Sequence, residues 1–254
     1  MAESCRGEGK GKEKAGTSAG VGCESDDSET RPKWQRKDRD DEVGDPLSVV
    51  GPEILEKILN FLDARSVARC IVVSHGWQTV AISDRLWAPR QCSELWADKA
   101  HIPRCSQVRG ISRLTAYSLS VMDGKRVRIT REDLCDHVWE YRFKSTAPEY
   151  WRNLDPTWKL TGPPMRRYFH QDGTLTADPG DTVWGGHECS YSIITSFVGD
   201  GRIREHYVRI NRWAPMTVSR LEDWSWMMSN DIYYYTSVPD ADKPGGTGPL
   251  FPVW

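Results

Sequence analysis

The chain has 254 residues, of which 28% are charged, and its formal net charge at pH 7 is −2. This balance predicts no strong electrostatic attraction to nucleic acid or to an anionic membrane. No apolar run approaches the roughly 20 residues of a membrane-spanning helix, and the N-terminus lacks the apolar segment of a secretory signal. We therefore expect no nucleic-acid partner, no membrane partner and a cytoplasmic or nuclear location.

The seven cysteines are an odd number at irregular spacing, which predicts reduced thiols rather than a disulfide framework. Residues 1–45 consist of glycine, serine and charged residues with almost nothing apolar. Such a segment buries too little surface to offset the entropy lost on ordering, so we predict a disordered polar tail.

Residues 46–90 predict three short helices. Pro52 stands at a helix start, where its fixed φ is suitable and its missing N–H costs nothing. Asp63, Ser74 and Asp84 are placed to cap the helices that follow. The apolar residues after Pro52 fall on one face of the first helix: Ile54, Leu55, Ile58, Leu59 and Leu62. Three helices of this size cannot bury all of that face among themselves, which leaves an apolar edge for a partner or for the rest of the chain.

The order of these residues resembles the F-box, the adaptor-binding module of SCF-type ubiquitin ligases. The resemblance covers about forty residues and rests on Pro52-Glu-Ile-Leu55, Ile58-Leu59, Val73-Ser-x-x-Trp77 and Asp84-x-Leu-Trp87. One departure is Gly51, where the family usually has leucine; Leu47 would then supply the upstream apolar anchor. The resemblance implies that Trp77 and Trp87 close the helical core. It implies an adaptor-facing set of Leu47, Pro52, Ile54, Leu55, Ile58 and Leu59.

Residues 91–134 continue as a helical linker region, in which Thr130 and Asp133 have the spacing of a capping box. From residue 135 to 240 the pattern is that of a tryptophan-rich antiparallel β domain. Aromatic and polar residues alternate from Trp139, and Asp-Gly turns stand at 172–173 and 200–201. The predicted fold class is therefore α+β, an N-terminal three-helix F-box-like module followed by a C-terminal antiparallel β domain, either a small barrel or a sandwich.

The tail at 241–254 is rich in glycine and proline and predicts an irregular wrap or a loose end. Within the β domain, Trp184 and His187 flank a glycine pair that allows close approach of a ligand or backbone. Arg166 and Arg167 are candidates to bind an acidic or phosphorylated segment of a substrate. Adjacent strand residues point to opposite faces, so one of the two arginines at most serves a given pocket.

The cysteines and histidines of the β domain suggest two further kinds of site, a zinc site and a cysteine nucleophile, and for each the alternative is that the residues simply pack in the core. Cys135, His137, His187 and Cys189 are four residues of the types that bind zinc, but their spacing matches no known zinc motif. The same cysteines are the candidate nucleophiles of a hydrolase, without any flanking catalytic signature. We therefore predict no metal, no cofactor and no catalytic residue.

The resemblance implies a substrate-recognition subunit of an SCF-type ubiquitin ligase. Its partners would be a Skp-type adaptor with its cullin–RING assembly, and a protein substrate held by the β domain. Two alternatives remain: a small-ligand-binding β-barrel tethered to the ubiquitin machinery, and a cysteine-dependent hydrolase.

Overall fold

The computed structural model of the chain describes residues 45–183 and 189–252. Apart from Asp45, the predicted polar tail lies outside the described residues. A helical region comes first and an eight-stranded barrel follows, so the α+β prediction is confirmed. None of the helices within the described ranges is long and apolar enough to cross a bilayer.

The helical region follows the capping residues that the sequence offers. The side chains of Asp63 and Ser74 accept the N–H groups of Ser66 and Trp77, as predicted. Asp84 is the first helical residue rather than a cap, because Ser83 accepts the N–H of Arg85 instead. The helices are α1 (Pro46–Leu59), α2 (Ala64–Cys70), α3 (His75–Ala81), α4 (Asp84–Leu86), α5 (Ser93–Ala97), α6 (Arg113–Gly124), α7 (Arg131–Asp136) and α8 (Glu149–Arg152), with a π-helix (Trp87–Cys92) before α5 and a 3₁₀-helix (Arg104–Gln107) before α6.

A small apolar core holds α1 to α4 together. Trp87 is 1% exposed at its centre, and its indole N–H donates to the carbonyl of Ala81 at 2.7 Å. Trp77 is partly buried at the edge of this core, where its indole N–H donates to Asp45 at 2.9 Å. The buried members are Leu55, Leu59, Val67, Val80, Ala81, Leu86 and Trp87.

The eight strands form a closed antiparallel barrel in which each strand pairs with its neighbour in sequence and β1 pairs with β8. The barrel alternative is therefore confirmed over the sandwich. The predicted turns at 172–173 and 200–201 connect β2 to β3 and β4 to β5. The strands are β1 (Val138–Phe143), β2 (Met165–Phe169), β3 (Thr174–Ala177), β4 (Cys189–Phe197), β5 (Ile203–Ile210), β6 (Met216–Arg220), β7 (Trp226–Ser229) and β8 (Tyr233–Ser237).

The interior of the barrel is packed with aromatic side chains. Alternate residues of β1 point inward, so Trp139, Tyr141 and Phe143 are buried while the residues between them are half-exposed. Phe169 and Tyr235 contact this row edge-to-face. Tryptophan, tyrosine and phenylalanine each bury 150–250 Å² or so, which explains how short strands fill the core.

Helix α7 covers the end of the barrel at which β1 begins. Leu134 is fully buried among the barrel side chains, and its carbonyl accepts the indole N–H of Trp139 at 2.9 Å. The capping box predicted for Thr130 and Asp133 is present at the start of this helix. The opposite end, where β1 ends at Phe143 and β8 begins, is called the mouth below.

A buried ion network joins the helices to the barrel. Arg126 binds Asp133 through two nitrogens at 2.7 and 2.8 Å and binds Asp123 at 2.9 Å. Arg220 of β6 binds the other oxygen of Asp123 at 2.8 Å. All four side chains are at most 7% exposed, and both guanidinium groups lie over the ring of Trp226, at 5.0 and 4.1 Å from its centroid. Two cations and two anions thus neutralise each other inside the protein.

The C-terminal segment is a wrap rather than a loose end as far as Gly248. Thr247 exchanges backbone hydrogen bonds with the segment around Pro103, donating to Ile102 and accepting from Arg104 at 2.8 Å each. The N–H of Gly248 donates to the carboxylate of Asp136 at 3.0 Å. These contacts hold Thr247 and Gly248 against the linker region and α7.

Arg126→Met is expected to destabilise the fold by about 3–5 kcal/mol, because it leaves Asp133 and Asp123 buried without their main counter-ion. Urea unfolding followed by tryptophan fluorescence measures this loss. Arg202→Met is the matched control, since its ion pair with Asp200 is exposed on both sides and is worth at most about 1 kcal/mol. Equal unfolding free energies for the two variants would contradict the role assigned to the network.

Acid is expected to weaken the fold through Asp133. Burial raises the pKa of this carboxyl, but the hydrogen bonds and charge of Arg126 outweigh burial and hold the pKa below its ordinary value of 3.8. A depressed pKa contributes stability that is complete above the pKa of the unfolded chain, about 3.9, and is lost as pH falls through the lower folded pKa. Urea midpoints between about pH 6 and pH 3 should therefore fall more steeply for wild type than for Asp133→Asn, and equal slopes for the two proteins would contradict this role of Asp133.

Candidate functional site

Helix α1 presents an apolar face that the described part of this chain does not cover. Ile54 is 51% exposed, Ile58 is 47% exposed and Phe61, just beyond the helix end, is 83% exposed. Their spacing of four and three residues places them along one side of the helix. Val72 and Val73, after α2, are also exposed. The apolar edge that the sequence predicts is therefore present.

The six predicted adaptor-facing residues divide into three groups. Pro52, Ile54 and Ile58 are exposed, whereas Leu55 and Leu59 are 2% and 1% exposed in the helical core. Leu47 is partly buried and packs so closely on Gly76 that a Cβ at that position would clash with it. Of the six, the exposed three have side chains free to meet a partner. Phe61 was missed by the sequence analysis, although it lies seven residues after Ile54 and so extends the same helical stripe.

The start of the face is set by a break in α1 at Gly51. This residue has φ 74° and ψ 163°, a conformation that is essentially restricted to glycine. The helix begins again at Pro52 with the residues that carry the face. Glycine at the position where the family usually has leucine thus serves to turn the chain between the two helical pieces, and Leu47 contacts the core from the upstream piece.

Asp45 ties the upstream piece of α1 to α3. It accepts the backbone N–H of Leu47 at 3.0 Å and the indole N–H of Trp77 at 2.9 Å. The hydrogen bond from Leu47 and then that from Trp77 lower the pKa of this exposed carboxyl. An ionised Asp45 therefore holds the helix start in place at neutral pH.

The mouth of the barrel contains an apolar pocket of about 480 Å³. Trp151 of α8 stacks on Phe143, and Tyr141 contacts Tyr233 with ring centroids 5.4 Å apart. The side chains that line the pocket come from β1, from the connections around it and from β8: Tyr141, Phe143, Trp151, Leu154, Val183, Trp213, Ala214, Ile232 and Tyr233. None of them is charged, and burial raises the pKa of the Tyr141 and Tyr233 phenols, so both are neutral at physiological pH.

The predicted substrate-binding residues occupy different places. Trp184 and His187 lie outside the described residues. Arg166 is exposed on β2, while Arg167 points into the barrel and is fully buried. The Arg167 side chain binds Asp181 at 2.5 Å and lies 4.9 Å from the ring centre of Tyr141. The two arginines thus face opposite sides of the strand, as expected, and Arg166 is the exposed one.

The set of cysteines and histidines that was weighed as a zinc or nucleophile site, and not adopted as one, is only partly described, because His187 is outside the described ranges. Cys135 lies 3.4 Å from the hydroxyl of Tyr191, and Nδ1 of His137 lies 2.6 Å from the carbonyl of Asp133. Within residues 45–183 and 189–252, no three His, Cys, Asp or Glu side chains are grouped as ligands for a metal. Burial raises the pKa of the Cys135 and Cys189 thiols, which lowers their thiolate fraction.

Comparison with known proteins assigns the helical module. Residues 52–90 match the F-box-like family model. Over 91 residues, or 35% of this chain, the sequence is 32% identical to the probable E3 ubiquitin ligase complex SCF subunit sconB of Talaromyces marneffei. That match spans 12% of the length of the fungal protein. No solved structure matches the chain.

Gly51→Ala is expected to destabilise the fold by about 2 kcal/mol, because a Cβ is strained at φ 74° and ψ 163° even though the surrounding space is open. Thermal or urea unfolding measures the change. Gly199→Ala is the matched control, since Gly199 also has open space around it but lacks a positive φ, and its stability should stay within about 0.5 kcal/mol of wild type. A neutral Gly51→Ala would show that the break in α1 is not required.

Proposed function

We propose that this chain, which carries an F-box-like domain at residues 52–90, is a substrate receptor of an SCF-type ubiquitin ligase. The observation that carries the proposal is the uncovered apolar face of Ile54, Ile58 and Phe61 on that domain. The partial likeness to a fungal SCF subunit supports the same assignment. We further propose that the protein acts in the cytoplasm or the nucleus.

The face has the chemistry of a protein interface. Fully burying one Ile or Phe side chain is worth about 1.5–3 kcal/mol, so a partner that covers all three gains several kcal/mol. Leu55 and Leu59 lie directly behind the face and fix its shape through the helical core. A Skp-type adaptor is the proposed partner, and a cullin–RING assembly is proposed to join through the adaptor.

The receptor would act by proximity rather than by chemistry of its own. Holding a substrate near a charged E2 raises the effective concentration of its lysines and so the rate of ubiquitin transfer. A continuous set of contacts runs from the helical module to the barrel. Trp87 meets Tyr117 of α6 with ring centroids 5.1 Å apart, and Asp123 at the end of α6 binds Arg220 of the barrel. These contacts favour a fixed spacing between adaptor and substrate.

A non-catalytic role agrees with the state of the thiols. A cysteine nucleophile needs a lowered pKa, supplied by a neighbouring cation or by a helix N-terminus. Burial shifts the pKa of Cys135 and of Cys189 in the opposite direction. The cysteine-dependent hydrolase is therefore the weaker of the two alternatives.

The double variant Ile54→Asp plus Ile58→Asp is expected to abolish co-purification of a Skp-type adaptor with the chain, because two buried carboxylates would stand unpaired in the interface. Both residues are exposed in the free chain, so the variant should keep its folding stability. Affinity purification followed by immunoblotting for the adaptor measures the loss.

Ile203→Asp is the matched control, since Ile203 is an exposed isoleucine at the start of β5 in the barrel. It should retain the adaptor at the wild-type level. If the double variant recovered as much adaptor as the wild-type chain does, the proposed interface would be refuted. Failure of the wild-type chain to recover any adaptor would refute it as well.

A further inference from the structure

The mouth pocket is an open cavity at one end of a barrel whose interior is otherwise packed with aromatic side chains. Its volume of about 480 Å³ lies within the range of about 300–1,000 Å³ that is typical of ligand sites. Below it, Arg167 and Asp181 neutralise each other, and the Arg167 guanidinium lies against the Tyr141 ring. Beneath the Tyr141 ring, the charge of Arg167 is therefore balanced by that of Asp181.

A polar groove of similar volume, about 480 Å³, continues from the pocket. The two share Ala214 and Ile232, so one ligand is able to occupy both. Whereas the described lining of the pocket carries no charged side chain, the described lining of the groove includes Lys144 and Asp231 together with hydroxyl and amide groups. The polar residues that line the groove are Lys144, Thr217, Ser229, Asn230 and Asp231.

The rim of the mouth exposes large apolar side chains. Trp213 is 40% exposed and Leu154 is 41% exposed, and both also line the pocket. Trp158, which donates its indole N–H to the carbonyl of Phe143 at 3.1 Å, is 45% exposed, and Tyr150 beside Trp151 is 64% exposed. A cluster of exposed apolar side chains around a cavity is typical of a surface that a protein partner covers.

We propose that the mouth binds an extended segment of a substrate protein, which inserts one bulky uncharged side chain into the pocket and lays its backbone along the groove. This inference rests on the proposed receptor function for its biological role. The polar groove favours a protein segment over a free apolar molecule as the ligand. A free apolar molecule gains what it can from contact with the pocket alone. A peptide backbone also needs hydrogen-bond donors and acceptors next to it, which the groove provides.

The lining of the pocket selects the side chain. Tryptophan, phenylalanine, leucine or methionine gains from contact with Phe143, Trp151 and Tyr233 in proportion to the area it buries. A carboxylate or an ammonium group meets no counter-ion among the lining residues that the structure describes, so these residues leave its desolvation uncompensated. The preference should therefore run from large apolar side chains down to alanine, with charged side chains no better than alanine.

The test uses the purified full chain without any adaptor and four fluorescein-labelled peptides of identical glycine–serine sequence that differ at one central residue. That residue is tryptophan, leucine, alanine or glutamate, and affinity is measured by fluorescence polarisation. The tryptophan and leucine peptides are expected to bind at least about tenfold more tightly than the other two. N-acetyltryptophanamide, the same side chain without the flanking backbone, is expected to bind more weakly than the tryptophan peptide.

Ala214→Phe is the informative variant, because Ala214 is an exposed residue shared by the pocket and the groove, and a phenyl ring there fills the space between them. It should weaken the tryptophan peptide by about tenfold or more with an unchanged urea midpoint. Ala97→Phe is the matched control, at an exposed alanine of α5, and should bind as wild type does.

Two results would overturn the inference: equal affinity for the four peptides, or an Ala214→Phe variant that binds as well as wild type. N-acetyltryptophanamide binding as tightly as the tryptophan peptide would refute the protein segment and assign the pocket to a free small molecule. A failure of adaptor binding by the wild-type chain would leave these measurements unchanged, so the two proposals fail separately.

Discussion

The buried ion network of Arg126, Asp123, Asp133 and Arg220 is the interaction on which the union of helices and barrel depends. The four residues come from different parts of the chain: Asp123 lies at the end of α6, Arg126 in the segment after it, Asp133 in α7 and Arg220 at the end of strand β6. Desolvating these charges is costly, and the cost is recovered only when all four are present and correctly placed. The network therefore makes the helical region and the barrel mutually dependent for stability.

The position of the ion network also separates the two ends of the barrel. The network covers one end of the barrel together with α7, which leaves the mouth at the other end. The uncovered helix face, in contrast, lies on α1, within a module that is held to α6 by Trp87 and Tyr117. Two surfaces with different chemistry are thus carried on connected elements: an exposed aliphatic and aromatic face that is proposed to bind an adaptor, and an aromatic pocket that is proposed to bind a substrate. That arrangement is compatible with the proposed receptor function, which requires two proteins to be held at a set spacing.

Local signals in the sequence predicted local structure well. Capping by Asp63, Ser74 and Thr130 and the turn at Asp172-Gly173 depend on neighbouring residues only, and all are present. Strand β7 has no such local signal, because the sequence from Trp226 to Ser229 lacks clear alternation and follows Trp224, whose φ of 65° is unusual for a non-glycine residue. The pocket residues were missed for a different reason. Trp151 and Trp213 lie in connections between strands, where no periodic pattern marks their partners.

By itself, the sequence determined the helical module with its apolar stripe, the change to β structure after residue 135 and the α+β class. These follow from periodicity, capping and turn residues, which act over a few positions along the chain. The tertiary structure alone decided that the β domain closes into a barrel, because closure depends on the pairing of β1 with β8, nearly one hundred residues apart. It also decided which apolar residues of α1 are buried and which are left for a partner, and that Arg167 is neutralised by Asp181. Those outcomes depend on contacts between distant residues, which a local pattern does not encode.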